Sequence, residues 1–363
     1  MRVSLASGMH YRAAAPASAL YTFTPDPRPF LIVELRLAFR VVFRITMDTL
    51  VEIILSAVSF VIAVGIAIGL AFWANKAQTD RSANVGIYLL FGIPGGLLTV
   101  AGAALSVNGL NEGPFVLAIG LALFLPLVPS FRKLLGKYTP YDPKSPIDLT
   151  GLAILLAVIA FLGVSTLTAT SSSDNSDPAS TLSLVASLII TMMTFVSLAY
   201  VCVGYRIWRT GPEATERLGL RMPDLRTIGI GIAFVLPVMF MNLIGGILTQ
   251  IFQPGITDDL DKTLDSMTQG IQNPAGALLI GLTAGIGEEL FFRGALQPRF
   301  GIVLTSFAFA LMHQQYELSW VLLGMFGIGI LLGIERKRYG TVAAIVTHAT
   351  MNIIAVTIQI LVN

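Results

Sequence analysis

Residues 281–300 read GLTAGIGEELFFRGALQPRF, and this stretch decides the class of fold. With the apolar residues before it, it belongs to a run over 275–297 that is long enough to cross a bilayer, since a spanning helix needs about 20 mainly apolar residues. The run nevertheless carries Glu288, Glu289 and Arg293. Ionisable side chains at membrane depth are costly and mark function by default, usually beside a partner or a water-filled cavity. Glu289 and Arg293 stand four apart and share a helical face, so an ion pair can stabilise both. Glu288 is rotated by about 100° from its neighbour and points elsewhere. One carboxylate can thus be held by the arginine while the other meets substrate. The plainer alternative, a buried structural Glu–Arg pair near a helix end, leaves Glu288 without a partner.

Working outward, the rest of the chain has the same character. Of its 363 residues 55% are hydrophobic and 12% charged, with a mean hydropathy of +0.78. A soluble domain has about 25% charged residues, so a soluble globule is excluded. Hydrophobic stretches fall at 50–74, 86–107, 114–129, 150–170, 181–205, 228–252, 275–297, 301–314, 318–334 and 341–361, of which 114–129 and 301–314 are short for full crossings. The expected fold is all-α: a polytopic transmembrane bundle of about 9–10 such segments, with a core of about eight helices around an intramembrane polar cavity. The single cysteine, Cys202, excludes an intramolecular disulfide and a cysteine metal cluster. It reads as a small buried hydrophobe.

Loop charges record orientation. The link 130–148 carries Arg132, Lys133, Lys137 and Lys144, and 206–226 carries Arg206, Arg209, Arg217, Arg221 and Arg226; both are expected on the cytoplasmic side. SSSDNSDPAS (171–180) and the acidic segment 253–274, with Asp258, Asp259, Asp261 and Asp265, then lie outside. Arg293, Arg299 and the Glu335–Arg338 cluster return to the cytoplasmic face, so substrate access is expected from that side. The stretch DDLDKTLDS (258–266) reads as a solvated loop or as a lid over the site.

Three regions follow. Residues 1–46 are an N-terminal extension in which Arg36, Arg40 and Arg44 line one face of a surface helix, unless Met47 is the natural start; 47–270 is a set of transmembrane helices; 271–363 is the catalytic region. Counted backwards, ten spans put the arginine-rich extension outside, which favours Met47 as the start or one span fewer near 86–129.

Two more polar stations follow Glu288. LTSFAFALMHQQ ends in His313, and AAIVTHATMNIIAV holds His348 and Asn352, which project to one side of a helix. Each alone reads as a helix-to-helix hydrogen bond; three stations on successive spans point to one shared site. A carboxylate and an imidazole can take a proton from water, and asparagine and histidine can donate hydrogen bonds to an oxyanion. Alternatively Glu288, His313 and His348 supply the three ligands of a catalytic zinc. Either arrangement implies hydrolysis by activated water. No GxSxG, HExxH or GxGD occurs in the chain.

The ordered patterns EExxxR (Glu288–Arg293), FxxxH (Phe309–His313) and HxxxN (His348–Asn352) resemble those of the CAAX-prenyl protease type 2 and bacteriocin-processing enzymes, the CPBP intramembrane metalloproteases. The resembling stretch covers about 275–360. The resemblance implies that Glu288 and His313 activate the attacking water, that His348 and Asn352 stabilise the oxyanion, and that Glu289 and Arg293 hold the helix and assist. It also implies a membrane-anchored protein or peptide substrate in the lipid bilayer, prenylated in the eukaryotic branch, with either a divalent metal or a metal-free glutamate mechanism. No nucleic-acid partner is expected, and for a prokaryotic chain the membrane would be the inner one. Two rival classes are a catalytically silent scaffold or immunity-type binder of the same fold, and a proton or cation transporter. The transporter predicts inverted repeats, and the sequence has none.

Overall fold

The computed structural model describes residues 28–168 and 180–362, with side chains from Thr46 onward apart from those of residues 261 and 267. The extension 1–46 therefore falls largely outside the described residues, as does most of the 171–180 loop. The described chain is a helical bundle: α1 Arg28–Lys76, α2 Arg81–Val107, α3 Gly113–Phe124, α4 Pro129–Tyr138, α5 Pro146–Thr168, α6 Thr181–Cys202, α7 Gly211–Arg217, α8 Leu225–Phe252, α9 Pro254–Thr268, α10 Pro274–Glu288, a π-helical segment Glu289–Leu296, α11 Gln297–Leu311, α12 Trp320–Tyr339 and α13 Thr341–Val362.

Seven helical runs among the described residues are long and apolar enough to cross a membrane, or eight if one bent pair counts as a span. The stretches 275–297 and 301–314 fall within a single run, Pro274–Leu311, and 318–334 falls in α12, whose last turns carry Glu335 to Arg338. Within the stretch 114–129 the helical run ends at Leu127, and at Val128 the chain bends by 82° into α4.

Local chemistry sets where helices begin. The carboxylate of Asp80 accepts from the amides of Ser82 and Ala83, Asp224 from Thr227, Asn273 from Gly276, and the hydroxyl of Ser319 from Leu322. Each such cap satisfies an amide that the helix leaves unpaired, worth about 1 kcal/mol. Helices α2 and α3 pack backbone to backbone: a methyl on Gly102 would lie 2.2 Å from the Leu117 nitrogen, and one on Gly120 2.3 Å from that of Thr99. Close approach through glycine is how helices gain dispersion contacts where lipid supplies no hydrophobic drive.

One glycine sets the course of the chain at the site. At Gly301 (φ +80°, ψ 172°) the backbone leaves the helical region for a conformation essentially reserved to glycine. The chain folds back there, so Phe292 and Phe309, on either side of the turn, bring their ring centroids to 5.6 Å. Helix α11 then ends in a short turn, Gln314–Tyr316, instead of completing a crossing. The central core around this hairpin joins Leu152 of α5, Phe292, Phe300, Phe309, and Ile328 and Leu332 of α12, all at 2% exposure or less.

The basic links meet at one end of the bundle. Arg299 reaches Asp148 at 2.6 Å, Thr341 donates to the carbonyl of Leu218 at 2.6 Å, and Tyr141 packs on Phe300. The acidic segment lies at the other end, where Gln359 donates to Asp265 and Gln253 to the carbonyl of Leu318. One sequence expectation needs correction, and one member of a charged cluster stands apart from it. DDLDKTLDS is not a loop but part of helix α9, because Leu260, 6% exposed, buries an apolar side while Asp259 and Lys262 stay on the solvent side. Glu335 does not belong to the solvated cluster with Lys337 and Arg338. It is fully buried, and its Oε1 lies 2.7 Å from the Thr347 hydroxyl.

Candidate active site

Glu288 and Glu289 sit where α10 passes into the π-helical segment. Widened turns of this kind are rare and concentrate at functional sites. Here the two carboxylates part company. Glu289 is fully buried; its Oε2 lies 3.4 Å from Arg293 Nε, and its Oε1 accepts from His348 Nδ1 at 2.9 Å. Arg293, also fully buried, donates through Nη2 to the carbonyl of Gly329 and lays its guanidinium 4.5 Å from the centre of the Phe309 ring. A buried carboxylate is thus compensated by two cationic or donor groups, the condition under which a charge can be kept out of water.

Glu288 faces differently. Its side chain is 19% exposed, and its Oε2 stands 4.0 Å from Nε2 of His313. That oxygen has no hydrogen-bond partner among the described residues. The histidine is oriented by its other nitrogen: Nδ1 lies 2.9 Å from the Phe309 carbonyl, so Nδ1 carries a proton, and in the neutral ring Nε2 presents a lone pair. Tyr316 stacks on the His313 ring at 6.2 Å with planes 10° apart, and Phe309 touches the ring from within the helix at 4.7 Å.

Of the six residues singled out by sequence, the structure gathers Glu289, Arg293 and His348 into one buried trio and sets Glu288 and His313 side by side. Asn352 stands one turn beyond His348 on α13, partly exposed, without a hydrogen bond to the other five among the described residues. Sequence reasoning missed Tyr316 as a wall of the site. It also passed over the ring of Phe309, which contacts Arg293, His313 and, at 5.9 Å, His348. The spacing of Phe309 in FxxxH carried that signal, because residues four apart lie on one face. Tyr316 follows a helix end and had no periodicity to betray it.

A zinc site at Glu288, His313 and His348 needs three donors converging on one point. Among the described residues no three His, Cys, Asp or Glu side chains do so, although the bond from His348 Nδ1 to Glu289 leaves its Nε2 free. The arrangement present is a carboxylate oxygen, itself buried, and an imidazole nitrogen 4.0 Å apart on two partly exposed side chains.

A polytopic helical bundle that holds two carboxylates, an arginine and two imidazoles at membrane depth defines an intramembrane polar site. Residues 271–354 match the family model of the type II CAAX prenyl endopeptidase Rce1-like proteins, the family that the three motifs resemble. The match supports a CAAX-type intramembrane protease role, hence a hydrolase acting on a membrane-associated protein. No curated protein and no solved structure matches the chain.

Proposed function

We propose that this protein is an intramembrane endopeptidase that hydrolyses peptide bonds of membrane-associated proteins or peptides, prenylated CAAX-like chains among them, by water activated between Glu288 and His313. The observation that carries this reading is the 4.0 Å separation of Glu288 Oε2 and His313 Nε2. The gap is too long for a direct hydrogen bond, and both atoms are acceptors. A water about 2.8 Å from each can donate one hydrogen to each, which is how a general base meets its nucleophile.

In the reaction, Glu288 takes a proton from that water as its oxygen attacks the scissile carbonyl, and the proton passes to the departing amine. His313 holds the water through its second hydrogen. The tetrahedral oxyanion takes hydrogen bonds from His348 Nε2–H and the Asn352 amide, the role that oxyanion-hole donors play elsewhere. For His348 this requires the doubly protonated ring, and the Glu289 carboxylate at Nδ1 stabilises that form. Glu289 and Arg293 act as positioning residues.

The test is cleavage of a panel of membrane-anchored and prenylated peptides by purified protein, comparing the native chain with Glu288→Gln and His313→Ala, with and without chelator. The expected outcome is a loss of about 10²-fold or more in each variant, the usual weight of a positioned acid or base. Chelator-insensitive cleavage supports the metal-free reading, and chelator-sensitive cleavage replaces it with a metal site. No cleavage by well-folded native protein moves the assignment to a binding scaffold of the same fold.

A further inference from the structure

Away from the carboxylates, two clefts of about 550 and 530 Å³, including their open mouths, run between α1, α5, α6 and the hairpin of the π-helical segment with α11. They share Gly151, Ile154, Cys202 and Leu296, so they form one continuous channel. It leads from Trp208 and Arg299 at the basic end to Phe292 and Met312 in the interior. Its outer wall is the small-residue side of α1, Ala67, Ala71 and Ala74.

The mouth of this channel has an excess of arginine. The Arg299 guanidinium already holds Asp148, whose other oxygen accepts from the Asp142 amide, so the local acid is saturated. Arg209 sits on the tight turn after α6 and donates to the carbonyl of Val203. Arg217 ends α7 beside Leu218, whose carbonyl is held by Thr341 and lies 3.0 Å from where a Gly294 side chain would begin. Leu218 thus lies against the π-helical segment and the start of α13, and the neighbouring Arg217 is close enough to Arg299, Arg209 and Arg336 to feel their charges. Neither Arg217 nor Arg336 has an ion pair among the described residues, and Arg336 Nε is buried without a hydrogen-bond partner. Burial, followed by the like charges of Arg299, Arg209 and Arg336, holds the Arg217 guanidinium down to about 10.

We propose that this channel is a binding site for one anionic phospholipid, its phosphate held by Arg209, Arg217 and Arg336 beside Arg299 and one acyl chain lying in the cleft. Guanidinium forks match phosphate oxygens in pairs, and the cleft that opens beside Arg299 is lined mainly by apolar side chains. The walls favour a hydrocarbon chain over a peptide. Every peptide unit needs hydrogen-bond partners, and the one hydroxyl lining the channel, that of Thr150, already donates to the carbonyl of Pro146. The site is separate from Glu288 and His313 and does not rest on the peptidase reading.

The experiment reconstitutes the full chain in nanodiscs of equal parts phosphatidylglycerol and phosphatidylcholine and counts the lipid retained after detergent extraction by native mass spectrometry. One phosphatidylglycerol per chain is expected, and Arg217→Gln and Arg336→Gln should each lower its retention about fivefold, the weight of one basic residue near an anionic lipid surface. Lys337→Gln, on an exposed neighbour, should leave retention unchanged, and Ala71→Trp, which fills the cleft, should abolish it. Monodisperse elution and an unchanged thermal transition show that each variant is folded. Equal retention of both lipids, indifference to Arg217→Gln and Arg336→Gln, or saturable binding of inorganic phosphate with no lipid retained would each overturn the proposal. So would a co-purified peptide in place of the lipid.

Discussion

Replacing Arg293 by Met removes the cation from the buried trio while keeping an unbranched side chain of similar reach. Glu289, fully buried, would keep its hydrogen bond from His348 but lose the guanidinium at 3.4 Å. Breaking a buried ion pair by deleting one partner costs about 3–5 kcal/mol, because the other charge stays behind uncompensated. The lost contact with the Phe309 ring at 4.5 Å accounts for roughly 1–2 kcal/mol of this, the range for a desolvated cation over an aromatic face. The double variant Glu289→Gln with Arg293→Met removes both charges, and a glutamine oxygen still accepts from His348 Nδ1. It should be destabilised by only about 1–2 kcal/mol, the aromatic contact alone. Adding Glu289→Gln to Arg293→Met is therefore expected to recover roughly 2–3 kcal/mol of the stability lost in the single variant. The measurement is unfolding in graded mixed micelles, followed by the fluorescence of Trp73, Trp208 and Trp320. A double variant at least as unstable as Arg293→Met would refute the idea that an uncompensated Glu289 is what makes the single change costly.

Three further outcomes are expected. Glu335→Gln should be nearly neutral and Glu335→Ala destabilising by about 2 kcal/mol or more through the cavity left by a fully buried side chain, while the Thr347 hydroxyl keeps the Gly231 carbonyl at 2.9 Å as acceptor; equal effects of the two changes in the same unfolding assay would contradict this. Gly301→Ala should cost about 1–3 kcal/mol through backbone strain, since a methyl there meets Thr139 and Pro140 no nearer than 3.4 Å, and should slow cleavage as α11 shifts His313 away from Glu288. The amide and hydroxyl of Thr227 hold the Asp224 carboxyl below its ordinary value of 3.8. Its capping of α8 is then fully present above that value and lost as pH falls through the lowered one. Amide exchange at Thr227, corrected for its intrinsic pH dependence, should show protection dropping on acidification below pH 3.8, and protection that rises there would reverse the sign.

Much of this molecule was legible in its sequence because two strong signals coincide: apolar runs of membrane length, and charges too few to be incidental. The alternation of basic and acidic links correctly groups the segments near 130–148, 206–226 and Arg299 at one end of the bundle, since each crossing switches ends. What stayed hidden turns on single residues inside apolar surroundings. The break between 275–297 and 301–314 was legible in Gln297, Pro298 and Arg299, but not that the single residue Gly301 makes the turn. The 82° bend at Val128, between Leu127 and Pro129, is likewise silent in a count of apolar residues. Helix α9 was masked by its aspartates, although Ile256, Leu260 and Leu264 recur every fourth residue and could have marked its apolar side. Glu335 sits beside three basic residues and so reads as solvated, and only the packing of α12 on α13 shows that its side chain turns inward.

The π-helical turns explain why one carboxylate is so firmly held that its neighbour is left free. In an α-helix a step of four residues overshoots a full turn by about 40°, so Glu289, Arg293 and Gln297 would drift around the helix by about twice that. Wider turns reduce the drift, and all three side chains are buried along one line. Two of them face α12 in step: Arg293 donates to the carbonyl of Gly329 and Gln297 to that of Gly333. Both acceptors are glycines, and the space beside them is taken. A methyl on Gly333 would lie 2.8 Å from Ile302, and one on Gly329 2.9 Å from Ser306. Side-chain-to-backbone bonds of this kind fix the rotation of the π-helical segment against α12. That rotation turns Glu289 inward to His348 and leaves Glu288, one residue earlier, at the partly exposed position opposite His313.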